Sequence, residues 1–186
     1  MKRILSISAL VIFTMVASTL LRNPAWAAFN SVVPISQELA TSIASKLFPA
    51  GLDLTTGNLL ITEPEVVFVD GERLAIKARF QAYDHRPDQG IAVSEMGWVQ
   101  ISGGLDFDPV TRQILLHNPS IDALDFDRQN DASASFRADI SDNWSAQMTN
   151  PMRADIPPHP YVVLIKDNIN DVSYDGQNIN VEIVYE

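Results

Sequence analysis

The chain has 186 residues and no cysteine, so disulfides and thiolate metal sites are excluded. Its 13 Lys and Arg stand against 23 Asp and Glu. This acidic balance argues against nucleic acid and anionic lipid headgroups as main partners, because both require a cationic surface. We interpret the charge as a source of solubility outside the cytoplasm; an acidic binding face is the alternative.

The first 27 residues have the three-part order of a cleavable signal peptide. Lys2 and Arg3 form a positive n-region, residues 4–21 are uncharged and mostly apolar, and Ala25-Trp26-Ala27 is a small-x-small cleavage motif. An uncleaved membrane anchor is the alternative, because an apolar stretch of about 18 residues approaches spanning length.

Cleavage after Ala27 would leave residues 28–186, one domain of 159 residues with ten Lys and Arg against 23 Asp and Glu, a net charge of −13. We expect this domain to be periplasmic or secreted. It would have no lipid anchor and no stable membrane anchor after cleavage, because no cysteine is available for acylation.

Residues 34–49 predict the first helix of the domain. Ser36 is a favourable N-cap, and Pro49-Ala50-Gly51 is a stop signal. Apolar residues recur at every fourth position and form one stripe: Ile35, Leu39, Ile43 and Leu47.

The middle of the chain changes to the two-residue period of β-strands. Asp70-Gly71 predicts a hairpin turn, residues 84–90 a polar loop, and Gly103-Gly104 a bulge or sharp bend within a strand. Asn118-Pro119 is expected to end the last of these strands. Four strands are predicted, over residues 59–69, 74–82, 98–107 and 113–117.

The last third predicts a second helix and then two strands. Phe136, Ile140, Trp144 and Met148 recur every four residues. Residues 151–160 contain four prolines and are expected to form an extended connector. Strands are predicted over residues 161–165 and 178–185, with a turn at Asp175-Gly176. This order favours an α+β domain with an antiparallel sheet covered by helices.

No residue pattern in the sequence indicates an enzyme or a cofactor. His85, His117 and His159 are isolated from one another, and His85 and His159 are expected at ordinary surface positions. Leu-Asp-Phe-Asp occurs at 105–108 and at 124–127, and clustered carboxylates of this kind can bind calcium. Neither copy has the spacing of a calcium loop, so we favour Leu and Phe facing inward and aspartates facing water.

Several stretches resemble the YceB-like family of exported bacterial domains of unknown function, which is related in fold to the TULIP superfamily of tubular lipid-binding proteins. The stretches are ISQELATSIASKLFP from Ile35, LDFDPVTRQILL at 105–116, HPYVVLIKDN at 159–168 and VSYDGQNINVEI at 172–183. The resemblance implies a curved antiparallel sheet wrapped around a long N-terminal helix, with an apolar channel between them. The second predicted helix is expected to be the shorter one.

This implied channel leads to a set of candidate ligand-lining residues on the helix stripe and on the inner faces of two strands. They are Leu39, Ile43, Leu47, Ile76, Phe80, Val99 and Ile101. Ala78, Ala82 and Gly103 on the same inner faces are small and would leave room for an acyl chain. The alternative is that these side chains fill a closed core, as most apolar stripes do.

The sequence therefore predicts a non-enzymatic exported protein that binds a lipid or other apolar small molecule between helix and sheet. The alternative function is an envelope interaction module with a filled core and no ligand. Its protein partner is unknown, and its contact surface would lie around Trp98, Trp144 and Tyr161.

Overall fold

The structure, a computed structural model, describes residues 29–69, 71–86 and 90–185. The predicted signal peptide and Asp70 of the first predicted turn lie outside these residues. Residues 30–184 form one compact unit. The described residues form β1 Phe29–Ile35, α1 Gln37–Ala44, β2 Ala50–Asp53, β3 Gly57–Phe68, β4 Arg73–Arg86, β5 Gly90–Asp108, β6 Gln113–Phe126, α2 Asp131–Gln147, β7 Met152–Asp155, α3 Pro160–Val163, β8 Ile169–Tyr174 and β9 Ile179–Tyr185.

Two sheets and a few helices make up this α+β fold, which confirms the predicted class. The larger sheet has the order β2-β3-β4-β5-β6-β7, is antiparallel throughout and is curled into a half-barrel. The smaller sheet has the order β1-β9-β8. Strand β4 alternates as predicted, with Ala78, Phe80 and Ala82 buried on the inner face.

Bulges divide the long strands of the large sheet into two halves. In β3, Glu63 and Pro64 interrupt the register with β4, and Glu63 has a φ of 50°. In β6, Asn118 and Pro119 lie in the register interval of Gly103, which confirms the bulge predicted there. A Cβ on Gly103 would lie 2.4 Å from Leu116 Cγ, so this position requires glycine.

Two separate hydrophobic cores result, one under each half of the sheet. The first contains the inner residues of β4 from Ala78 to Ala82, together with Phe136 and Ile140 of α2. The second contains Leu74 of β4, Val66 of β3, and residues of α1 and of the small sheet. Each long strand thus contributes its two ends to different cores.

The expected long N-terminal helix with a shorter second helix is wrong for the described residues. Helix α1 has eight residues, whereas α2 has 17. Ser36 is the predicted N-cap and accepts a hydrogen bond from Leu39 N, but the helix ends at Ala44. The Ser45 hydroxyl donates to the carbonyls of Thr41 and Ser42, and a short 3₁₀ turn, Ser45–Leu47, leads into β2.

Helix α2 confirms the second predicted helix, and it starts earlier than its apolar residues indicate. Asn130 and Ser133 form a reciprocal capping box, in which each side chain bonds the backbone of the other residue. These bonds offset the weak helix propensity of a segment rich in Ser, Asp and Asn. The helix presents Phe136 and Ile140 to the first core.

Three further predictions of local structure are corrected. Strand β6 continues through Asn118-Pro119 to Phe126, because the bulge opposite Gly103 accommodates a residue without an N–H. The polar loop is shorter than predicted, since Arg86 pairs with Gly90. Part of the expected connector forms β7, which pairs with β6.

Residues 161–165 do not form the predicted strand. Residues 161–163 belong to the short helix α3, which has Pro160 at its first position and His159 as N-cap. The apolar run YVVLI is compatible with either a strand or a helical turn. The helix forms here because Pro160 occupies its first position and His159 caps it. The turn at Asp175-Gly176 is confirmed, with Gly176 at a φ of 92° between β8 and β9.

Candidate functional site

The second core is not filled. An apolar cavity of about 360 Å³ lies among α1, α3, both sheets and the segment that follows β7. Of its lining residues, Arg153 is charged and Tyr161 carries a hydroxyl, while the others are apolar. They are Ile35, Leu39, Ala40, Ile43, Ala44, Leu47, Phe48, Ala50, Val66, Leu74, Ile76, Leu105, Ile114, Leu116, Met152, Arg153, Ala154, Ile156, Pro157, Tyr161, Val162, Ile165, Ile169, Val172, Ile179 and Val181.

Polar side chains of α1 fix this helix on the sheet with its apolar stripe toward the cavity. The Thr41 hydroxyl accepts a hydrogen bond of 2.9 Å from Val66 N, and Gln37 Oε1 accepts one of 3.3 Å from Phe68 N. Both donors belong to β3 beyond its bulge. Leu39 and Ile43 lie on another face of the helix, so these bonds orient them toward the cavity.

His159 joins α1 to α3, two helices that both contribute lining residues to the cavity. Its Nε2 lies 3.2 Å from the Ser42 hydroxyl, and its Nδ1 accepts a hydrogen bond from Tyr161 N at 3.4 Å. The residue is 7% exposed, so the expectation of an ordinary surface position is wrong. The flanking prolines indicated an exposed segment. Instead, His159 is the N-cap of α3, and in this position its ring is buried.

The cavity reaches the surface where its lining residues are exposed. Leu47 is 42% exposed and Tyr161 67%, and Arg153 is also exposed. Arg153 Nη1 lies 3.4 Å from Asp108 Oδ2. Hydrogen bonds from the Thr111 side chain and backbone, then from Val110 N–H and Arg153, lower the pKa of Asp108 to about 2. The opening is therefore bordered by an ionised carboxylate at neutral pH.

The structure separates the seven candidate ligand-lining residues into two groups. Leu39, Ile43, Leu47 and Ile76 line the cavity. Phe80, Val99 and Ile101 belong to the first core instead. Alternation predicts which face of a strand is buried, but not where along the strand one core ends and the next begins.

The first core is closed by side chains of α2. Ile140 is 0% exposed, and Phe80 packs against Phe126 with ring centroids 5.0 Å apart in an edge-to-face arrangement. Ala78 and Ala82 lie in this core, so their small size accommodates packed neighbours there. In this half of the sheet the side chains fill a closed core, which was the alternative to a ligand channel.

Several cavity residues were absent from the predicted set, most of them in the closing strands. Val172 belongs to β8, a strand that was not predicted, whereas Ile179 and Val181 belong to β9, whose alternation was visible in the sequence. The elements against which these side chains pack could not be identified, because alternation does not show which other sheet or helix a strand contacts. Ile114 and Leu116 were likewise predicted to be in a strand but not beside α1.

The other chemistry-bearing residues are dispersed. His117 Nε2 lies 3.2 Å from Asp106 Oδ2 on the surface. In both Leu-Asp-Phe-Asp copies the Leu and Phe side chains pack inward, as predicted. Among the residues that the structure describes, no group of three or more His, Asp or Glu is placed to hold a metal ion.

The three aromatic residues of the predicted contact surface lie in different settings. Lys77 Nζ and the Arg79 guanidinium each lie 5.0 Å from the centre of the Trp98 ring. Trp144 lines a separate, open surface groove of about 420 Å³ with Asn118 and Asn150. Tyr161 lies at the opening of the apolar cavity.

A comparison with models of protein families found no match, and a comparison with curated proteins found none either. In the described part of the chain, no helix is both long and apolar enough to span a membrane.

Proposed function

We propose that this protein binds a lipid or another elongated apolar molecule in the cavity between α1 and the curled sheet, without catalysing a reaction on it. The observation that carries the proposal is the cavity itself. Its volume of about 360 Å³ falls in the range of roughly 300–1,000 Å³ found for ligand pockets.

The chemistry of the lining favours a hydrocarbon chain. Residues from Leu39 on α1 to Val181 on β9 present aliphatic groups, and an apolar molecule there loses contact with water at a gain of about 0.8 kcal/mol per buried methylene. Polar groups are limited to the opening, where Arg153 and Tyr161 lie. A ligand with an apolar chain and a polar end matches this distribution.

The setting proposed for this activity is the periplasm or the exterior of the cell. The signal-peptide features of residues 1–27 and the acidic domain support export. The resemblance to YceB-like and TULIP domains supports the same activity. An envelope interaction module remains the alternative function, and the open groove at Trp144 is the surface that would serve it.

Uptake of a fluorescent fatty acid by the purified domain, residues 28–186, tests the proposal. We expect saturable binding of one probe per domain, and native mass spectrometry of protein prepared from its own envelope is expected to show a bound lipid. Ile76→Trp places a large ring in the cavity and should weaken uptake by about tenfold or more.

The matched control is Ile140→Ala, which weakens the first core without touching the cavity. It should retain the uptake of the wild-type domain, so a loss seen only in Ile76→Trp cannot be attributed to general destabilisation. Absence of both a co-purified lipid and probe uptake in the wild-type domain would refute the proposal.

A further inference from the structure

The face around the cavity opening carries large apolar side chains that no described residue covers. Val110, in the turn between β5 and β6, is 90% exposed, and Leu164, directly after α3, is 81% exposed. Tyr161 and Val163 of α3 are 67% and 50% exposed. We name these four residues the apolar rim.

Two parts of the chain bring the apolar rim together beside the opening. Arg112 Nη1 donates a hydrogen bond of 2.7 Å to Lys166 O, which ties the β5–β6 turn to the segment after α3. In α3, Val162 faces the cavity, so Val163 and Leu164 point outward from the same short turn. The apolar rim is therefore continuous with the wall of the cavity.

Several cations are close in sequence to the apolar rim, although the chain as a whole is strongly acidic. Arg153 lies at the opening, and Lys46, Arg112 and Lys166 are within three residues of a rim or opening residue along the chain; these are four of the ten Lys and Arg in residues 28–186. The nearby acids are Asp108, Asp155 and Asp167, of which Asp108 contacts Arg153 and Asp155 accepts a hydrogen bond from Gln113. Close to the rim and the opening along the chain, four cations therefore stand against three acids, unlike the acidic excess of the whole chain.

We propose that the apolar rim inserts into the interfacial region of a phospholipid bilayer and places the cavity opening against the membrane. Exposed apolar residues flanked by Lys and Arg are the arrangement that binds lipid interfaces, because the apolar groups enter the acyl boundary while the cations reach phosphates. The net charge of −13 of residues 28–186 disfavours attraction by charge alone, so apolar insertion drives the contact. This proposal rests on the proposed function, since the contact would place a lipid-binding cavity against the membrane.

Co-sedimentation with phosphatidylcholine vesicles tests the contact directly. The wild-type domain should bind, and binding should persist at high salt because insertion is apolar. Val110→Asp/Leu164→Asp should lower the bound fraction by about fivefold or more. Val110→Ser/Leu164→Ser, which adds no charge, should lower it in the same direction.

The matched control is Leu60→Asp/Met96→Asp, which adds the same charge. These residues are 37% and 44% exposed and lie on the outer face of the large sheet, both opposite Gln81 in the strand register. The control should bind vesicles as the wild type does. Equal loss in both double variants, or no vesicle binding by the wild type, would overturn the proposal.

Two further readouts separate this proposal from its alternatives. Val110→Asp/Leu164→Asp should still take up the soluble fatty-acid probe, since neither residue lines the cavity. Probe uptake without vesicle binding would overturn the docking proposal alone, whereas vesicle binding without uptake would overturn the proposed function alone. A wild-type dimer in light scattering that the Val110→Asp/Leu164→Asp change abolishes would assign the apolar rim to a second copy instead.

Discussion

Among single residues, Asp108 organises the turn that carries Val110. Its carboxylate accepts hydrogen bonds from the backbone N–H groups of Val110 and Thr111, at 2.9 and 3.1 Å, and contacts Arg153. The Thr111 side chain and backbone, followed by Val110 N–H and Arg153, stabilise the ionised form, which is why the pKa of Asp108 falls from 3.8 to about 2. The turn is thus linked to pH through one carboxyl group.

Asp108→Asn is expected to lower the free energy of unfolding near neutral pH. Because the pKa is depressed in the folded state, the stabilisation is present above pH 3.8 and is lost as the pH falls through about 2. Urea unfolding of wild type and variant should therefore show a larger gap in stability at pH 6 than at pH 3. A gap that stays constant between these values would contradict the assigned role of the carboxylate.

At the scale of elements, α3 depends on the residue that precedes it. The helix has four residues, too few to be stable alone, and His159 caps it while touching Ser42 of α1. The His159 ring also stacks on Tyr161, with centroids 5.6 Å apart. The cap therefore holds both the wall of the cavity and the base of the apolar rim.

Comparison of His159→Ala with His159→Asn isolates the capping contribution. Both variants remove the ring and its contact with Ser42, but asparagine is a strong N-cap and alanine is not. We expect His159→Ala to be less stable than His159→Asn by about 1 kcal/mol in urea unfolding. Equal stability of the two variants would show that the ring contacts, rather than the cap, hold α3 in place.

Sequence patterns predicted elements whose signals are local. The cap at Ser36, the alternation of β4, the bulge at Gly103 and the turn at Gly176 each follow from a few neighbouring residues. The length of α1 was overestimated, because the apolar stripe continues to Leu47 although the helix ends at Ala44. Ser45 ends it by bonding carbonyls of the preceding turn.

The candidate site could be predicted only along the apolar stripe of residues 35–47 and at one strand position. Leu39, Ile43 and Leu47 follow from the stripe, and Ile76 from alternation on β4. Phe80 and Ile101 have equally good alternation but lie beneath α2. On one side of the bulges the large sheet packs against α2, and on the other side it packs against α1 and the small sheet. That change depends on contacts between distant segments, which periodicity does not encode.

For the whole molecule, the division into two cores assigns stability and binding to different places. The first core is filled, with Phe80, Ile140 and Val99 almost wholly buried. The second core contains the cavity, and side chains such as Ile179 and Val181 are buried in that core but also line the cavity. A protein that binds an apolar molecule gains from this arrangement, since the filled first core can stabilise the fold while the second core keeps a cavity.

Ile140→Ala and Ile179→Ala remove the same atoms from the two cores and therefore measure this division. Ile140 is 0% exposed and enclosed, so we expect a loss of about 2–5 kcal/mol in unfolding free energy. Ile179 is 8% exposed and borders the cavity, where fewer dispersion contacts are lost, so the cost should be about half as large. Saturating fatty-acid probe should stabilise the wild-type domain and Ile140→Ala equally, because the ligand binds the folded state of both. It should stabilise Ile179→Ala by a different amount, because that substitution changes the volume and contacts of the cavity. Equal costs for the two substitutions would mean that the second core carries as much of the stability as the first.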